Sequence, residues 1–149
     1  MPSVSFRETM TGSYWRLDAP VDECALTLRY EARAGVLGDF LRHRTWSLSG
    51  TIDAERLASS RPVEGTLGFG RIEERRFPYR FAFEGDDGRR YELMGQKEWS
   101  HLAPVESLIL LPATLSDDRG EEIARATLRF DLRADWAEWL RSIRLHLRA

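Results

Sequence analysis

The chain has 149 residues, 42% of them hydrophobic and 31% charged, with a net charge of -2. That is enough chain to bury one real core, and too little basic excess to neutralise nucleic-acid phosphates, which excludes nucleic acid as a partner. No apolar run approaches membrane-spanning length and MPSVSFRE has no signal-peptide core, so the expectation is a single cytoplasmic domain over 1–149 with no membrane span.

Val4, Phe6, Glu8 and Met10 alternate with Ser5, Arg7 and Thr9, the period of two of a strand with one buried face, and this first strand is predicted to end near Gly12. Tyr14, Trp15 and Leu17 lead into the turn-like DAPVDE. Cys24, the one cysteine, reads as a small strand residue just before a second strand, Ala25 to Arg33, with Leu26, Leu28, Tyr30 and Ala32 on one face. Val36, Leu37, Phe40 and Leu41 have helical spacing, and the glycines around them keep that predicted helix, a candidate lid, short. Thr45 to Ile52 is a third strand with Trp46, Leu48, Gly50 and Ile52 inward, and AERLAS after it reads as one helical turn. Val63 to Ile72 is a fourth, interrupted by Gly65, Gly68 and Gly70 as in a sheet that bends.

The clearest signal is Arg76 to Ser100. Phe77, Tyr79, Phe81 and Phe83 alternate with Pro78, Arg80, Ala82 and Glu84 up to a turn at Asp86-Asp87-Gly88. A two-residue turn would set Phe81 opposite Met94 and mix an aromatic face with a charged one. A three-residue loop with Gly88 left-handed pairs like with like: Phe83 with Tyr91, Phe81 with Leu93, Tyr79 with Gly95 and Phe77 with Lys97. Beyond His101 to Glu106, SLILLPATL is a further strand whose Pro112 predicts a bulge or an edge. DDRGEE is a turn, and Ile123 to Leu132 a last strand with Ala124, Ala126, Leu128, Phe130 and Leu132 on one side. Trp136, Leu140, Ile143 and Leu147 then fall on one face of a predicted helix capped by Asp135, with Arg141, Arg144 and Arg148 late in it. It is expected to pack on the sheet; a membrane surface is the competing place for a basic amphipathic helix.

About eight antiparallel strands joined by short turns make the fold class all-β: an up-and-down, lipocalin-like β-barrel with a short helix after strand 2 and a C-terminal helix on the sheet. A two-sheet sandwich competes, but the glycines at 50, 65, 68, 70 and 95 favour strands curled around a lumen.

No enzyme constellation is apparent. His43, His101 and His146 have no metal-ligand spacing, no serine sits in a nucleophile elbow, and Gly65 to Gly70 do not open a helix. No cofactor, metal or catalytic residue is therefore expected. Glu8 and Lys97 stand out because alternation turns both inward among apolar neighbours, where a charge must be paired, hydrated or used. Either they form a structural ion pair or reach water at a barrel end, or they anchor a polar group in a mostly apolar cavity. In the second reading the ligand-binding residues are Glu8, Trp46, Tyr79, Phe81, Tyr91, Lys97 and Trp99, with His101 near the mouth. An acid-base pair of Glu8 and Lys97 is a third reading.

Phe6-x-Glu8-x-Met10-x-Gly12, Tyr79-Arg80-Phe81-x-Phe83, Gly88, Tyr91-x-Leu93-x-Gly95-x-Lys97 and Ser107-Leu108 to Leu115 together resemble a β-rich accessory segment. It occurs in large bacterial proteins that join a cholesterol-oxidase-like flavoprotein of the glucose-methanol-choline family to an α/β-hydrolase. This chain has no dinucleotide-binding glycine motif, so the resemblance implies neither flavin nor oxidase activity. What it implies is association with sterol-like or lipid-like metabolism. The expected function is non-catalytic binding of a hydrophobic small molecule in the lumen, accessory to a partner oxidoreductase or hydrolase. The alternative is an interaction module with a filled barrel that docks on such a partner. An edge strand at Pro112 would also permit a homodimer.

Overall fold

The computed structural model describes residues 3–34, 45–68, 76–98, 110–130 and 144–146. These contain β1 (Ser3–Arg16), β2 (Ala19–Ala34), β3 (Thr45–Ala54), β4 (Ala58–Gly68), β5 (Arg76–Glu84), β6 (Arg90–Glu98), β7 (Leu110–Ser116), β8 (Glu122–Arg129) and β9 (Arg144–His146). Each strand from β1 to β7 pairs antiparallel with its successor, and β1 pairs with β8 over Thr11–Arg16, so eight strands close into an up-and-down barrel. Closure follows from the alternation: Cys24, Leu26, Leu28, Tyr30, Ala32 and Ala34 are buried on β2, and Ala124, Ala126 and Leu128 on β8. One apolar and one polar face per strand is satisfied by rolling the sheet with its apolar face inside.

The β5–β6 hairpin has the predicted register, with Phe77, Tyr79, Phe81 and Phe83 opposite Lys97, Gly95, Leu93 and Tyr91. Gly88 at φ 78° closes the three-residue loop, and the Gly85 amide donates to the Arg89 carbonyl at 2.8 Å. The same device recurs between β7 and β8, where Gly120 has φ 79° and the Asp117 amide donates to the Glu121 carbonyl at 2.9 Å.

Other expectations are corrected. β1 runs through Gly12 to Arg16, because Gly12 lies on the closing seam: a Cβ there would stand 1.9 Å from the Thr127 carbonyl oxygen. Glu55 to Leu57 form a tight turn instead of a helical one, and β4 begins at Ala58. Ser60, at φ 47°, breaks the alternation that would have revealed that start. The expected C-terminal helix is replaced over Arg144–His146 by β9, which pairs with Ser3–Ser5. β8 covers only the far half of β1, and the exposed half-edge takes up a segment whose local alternation, Arg144-Leu145-His146-Leu147, suits a strand as well as a helix. No helix occurs among the described residues, and the predicted helix over 36–41 and the remainder over 135–143 lie outside them. Pro112 marks neither a bulge nor an open edge: β7 pairs with β8 along its length and with β6 over Ala113–Ser116, and Pro112 stands one residue beyond that last β6 rung.

The two barrel ends differ. The turns at Leu17–Asp18, Glu55–Leu57, Gly85–Arg89 and Asp117–Glu121 all lie at one end, and the strand ends flanking 35–44, 69–75 and 99–109 lie at the other. The turn end is filled. Tyr14, Leu26, Ile52, Leu57, Phe83, Leu93 and Leu115 leave a void of only about 10 Å³ among them, at the lower limit for a single water. It is also cross-linked by polar contacts: the Tyr14 hydroxyl donates to the Glu55 carbonyl, the Glu55 carboxylate accepts the Ala25 amide at 2.9 Å, and Arg61 donates to Asp86 at 2.9 Å.

Candidate functional site

Away from the filled end, the lumen carries a carboxylate. Glu8 faces inward from β1 one step beyond Met10, and the β1–β2 register sets it directly across from Tyr30. Both are buried, Glu8 to 8% and Tyr30 to 3% of full exposure. The Tyr30 hydroxyl donates to Glu8 Oε2 at 2.5 Å, at the short end for an O–H···O⁻ bond. The pairing depends on an irregularity next to the first turn. Between Trp15 and Arg16 the register shifts, so Trp15 faces Glu23 while Arg16 faces Ala19. Val21, in the extra length of β2, is left 90% exposed.

Tyr79, from the hairpin, joins the pair through a hydrogen bond between its hydroxyl and that of Tyr30. Tyr30 thus stands between the carboxylate and Tyr79. Burial, and secondly the charge of Glu8, push both phenols well above the ordinary tyrosine range. They remain protonated donors throughout the pH range in which proteins work. Phe81 backs both rings, its centroid 5.3 Å from that of Tyr30 and 6.1 Å from that of Tyr79. Phe6 and Trp46, half-buried, meet at 5.2 Å as a tilted pair packed on the same core.

Of the residues singled out in the sequence, Glu8, Tyr79 and Phe81 are thus brought together, and Trp46 packs against the apolar core through the β1–β3 contact with Phe6. Tyr91 is placed at the filled turn end, where it stacks on Phe83 at 5.7 Å and donates to Asp87 Oδ2 at 2.5 Å. Lys97 pairs with Phe77 in the backbone register, but its side chain lies outside the described residues, and so do Trp99 and His101. The expected approach of Lys97 to Glu8 therefore falls outside them too. Tyr30 is the member that sequence reasoning missed. It was legible as an inward residue of the second strand, but its partner depends on the β1–β2 irregularity.

The cluster can hold a polar group against a carboxylate inside an apolar barrel. No group of three or more His, Cys, Asp or Glu side chains suited to a metal ion occurs among the described residues, and no helix there is long and apolar enough to cross a membrane. In comparisons with protein-family models, curated proteins and solved structures, nothing matches this chain.

Proposed function

We propose that this protein binds a hydrophobic small molecule, sterol-like or lipid-like, in the lipocalin-like manner, at the barrel end opposite the four tight turns. The observation that carries the reading is the buried Glu8–Tyr30–Tyr79 cluster amid a lumen wall that is mostly apolar among the described residues. A carboxylate is costly to keep in such surroundings, and stability alone would favour an apolar residue of similar volume. A mostly apolar wall with a few convergent polar groups is the usual make-up of a small-molecule site. In this reading Trp46, Phe81 and Tyr79 form the wall, and Glu8 and Tyr30 the polar anchor. The resemblance to an accessory segment supports a bound molecule that serves a partner oxidoreductase or hydrolase.

The test is native mass spectrometry of the protein purified without detergent, followed by solvent extraction and identification of what is released. A bound mass that is lost on Tyr79→Trp, which fills the space beside the anchor, supports the proposal. Protein that emerges empty and takes up no added sterol or fatty alcohol overturns it. The second reading, a filled barrel that docks on a partner through its outer face, is favoured by the tight packing of the turn end. It gains if the protein stays empty while co-purifying with an enzyme.

A further inference from the structure

The loop between β5 and β6 holds in check a reaction that its sequence invites. Asp87-Gly88 is the only Asp-Gly or Asn-Gly dipeptide in the chain. Both residues are exposed to water, and a Cβ at Gly88 would meet nothing within 4 Å, so no side chain shields the bond between them. At such a dipeptide the glycine nitrogen attacks the side-chain carboxyl of the aspartate. The Gly88 nitrogen bonds to Cγ of the protonated side chain, and the carboxyl OH and the amide proton leave together as water. The five-membered imide then takes up one water. Opening at the side-chain carbonyl restores aspartate, and opening at the main-chain carbonyl leaves isoaspartate, in which the chain runs through Cβ and Cγ.

In the folded loop the reacting atoms are already committed. The Gly88 amide donates to the Gly85 carbonyl at 3.0 Å, a bond the imide cannot make because its nitrogen carries no hydrogen. Asp87 Oδ1 accepts the Arg89 amide at 3.0 Å, and Oδ2 accepts the Tyr91 hydroxyl at 2.5 Å. The carboxylate is folded back over Gly85, where a Cβ would stand 2.9 Å from Asp87 Oδ1 and 2.7 Å from the Tyr91 ring. Two donors aimed at the carboxylate favour the anion, whose carbon is a poor target for attack. Tyr91 can act as a fixed donor because it is 5% exposed and stacked on Phe83 at 5.7 Å. From this geometry we infer that Asp87 is a site of spontaneous isoaspartate formation and that Tyr91 is the positioning residue that suppresses it. Isoaspartate lengthens the main chain by one carbon in a three-residue loop whose length sets the register of Tyr79 and Phe81. The modification and the loosening of the hairpin therefore promote each other.

Wild type, Tyr91→Phe and Tyr14→Phe are kept at pH 6 for several weeks, and isoaspartate is quantified by enzymatic carboxyl methylation and located by peptide mapping. Tyr91→Phe keeps the ring on Phe83 and deletes only the bond to Asp87. Tyr14→Phe deletes the hydroxyl bonded to the Glu55 carbonyl at the same barrel end, and so controls for lost stability. The expected result is isoaspartate at Asp87 forming about tenfold faster in Tyr91→Phe than in wild type, in line with the loss of a hydrogen bond to a charged group, and at close to the wild-type rate in Tyr14→Phe. If Tyr91→Phe does not fold by circular dichroism, the wild-type chain held unfolded in guanidinium takes its place, and Asp87 should isomerise there about tenfold faster than in the folded protein. Equal rates in Tyr91→Phe and wild type overturn the inference, and so does an equal rise in Tyr14→Phe. Isoaspartate appearing in folded wild type as fast as in the unfolded chain overturns it as well.

Discussion

Removing one oxygen atom tests whether the lumen cluster is the strongly coupled unit described. Tyr30→Phe keeps the ring, its contact with Phe81 at 5.3 Å and the inward face of β2, and deletes only the hydroxyl. Two groups lose their partner. Glu8 loses a charged hydrogen bond of 2.5 Å at 8% exposure, a loss of about 1.5–3 kcal/mol for a bond to an ionised group. Tyr79 loses its buried hydrogen bond with Tyr30, about 1 kcal/mol or more. Relief from burying the Tyr30 hydroxyl offsets part of this, so a net loss of about 2–4 kcal/mol is expected, on the order of 6–12 °C in Tm for a domain of this size.

Urea unfolding at pH 7 of wild type, Tyr30→Phe, Glu8→Gln and the double variant closes the cycle. Glu8→Gln by itself has two opposed effects, since it weakens the bond and also removes a buried charge, so its sign does not decide the matter. The coupling decides it. Tyr30→Phe should cost about 1–2 kcal/mol less when position 8 is already glutamine. A loss below about 0.5 kcal/mol for Tyr30→Phe, with additive effects in the double variant, would refute the coupled cluster.

Three further outcomes are expected. All four tyrosines of the chain are held above their ordinary pKa, Tyr14, Tyr30, Tyr79 and Tyr91 each first by burial, so the folded protein should show almost no tyrosinate absorbance at 295 nm at pH 10, where free tyrosine is half ionised. A raised folded pKa contributes stability below pH 10 that is lost as pH rises beyond it, so ionisation should arrive together with unfolding; smooth titration of several tyrosines in a still-folded protein would contradict their burial. Gly65→Ala would set a Cβ 1.8 Å from the Arg80 carbonyl oxygen and force β4 from β5, costing about 3 kcal/mol or more, whereas Gly88→Ala meets open space at φ 78° and should cost only about 1 kcal/mol. Equal urea midpoints for the two would show that the β4–β5 spacing is looser than described. At the turns, Asp86, Asp87 and Asp118 are held below the usual carboxylate range, by Arg61, the Tyr91 hydroxyl and Arg89 respectively. Their contribution is present above pH 4 and lost as pH falls, so replacing all three with Asn should flatten the acid limb of the stability curve, and an unchanged limb would exclude them as its source.

How much of this was legible depended on whether a short segment carried its own answer. The β5–β6 hairpin did, because four aromatic residues, three turn residues and one glycine constrain a single register, and Tyr79 opposite Gly95 follows from them. The Glu8–Tyr30 pairing did not. Leu17-Asp18 read as a plain two-residue turn sets Glu8 opposite Thr27, an outward residue, and only the register shift after Trp15 turns Tyr30 to it. A bulge of that kind is decided by how the closing seam with β8 packs, which is a property of the whole barrel. The C-terminal segment failed for a related reason. Its helical periodicity is real in the sequence, but the half of β1 beyond its β8 rungs offers Arg144–His146 backbone partners, and tertiary pairing overrides local preference.

The asymmetry of the barrel bears on where a ligand belongs. Contacts of Glu55, Asp86 and Arg89 with Ala25, Arg61 and Asp118 place the cross-links at the end whose interior is already filled. Rigidity there holds β1, β2 and β5 in register at a distance, and it is their other halves that carry Glu8, Tyr30 and Tyr79. A polar chain that runs from the paired strands β1 and β2 to β5, which neighbours neither, keeps its geometry only if the strands cannot slide, and a one-residue slip would turn Glu8 out to water. Under the proposed binding function, a buried carboxylate so supported is positioned for a ligand's polar group. That is the physical reason for seeking the ligand on the Glu8 side of the lumen, and for expecting Tyr91, buried among the turns, to affect stability and leave binding unchanged.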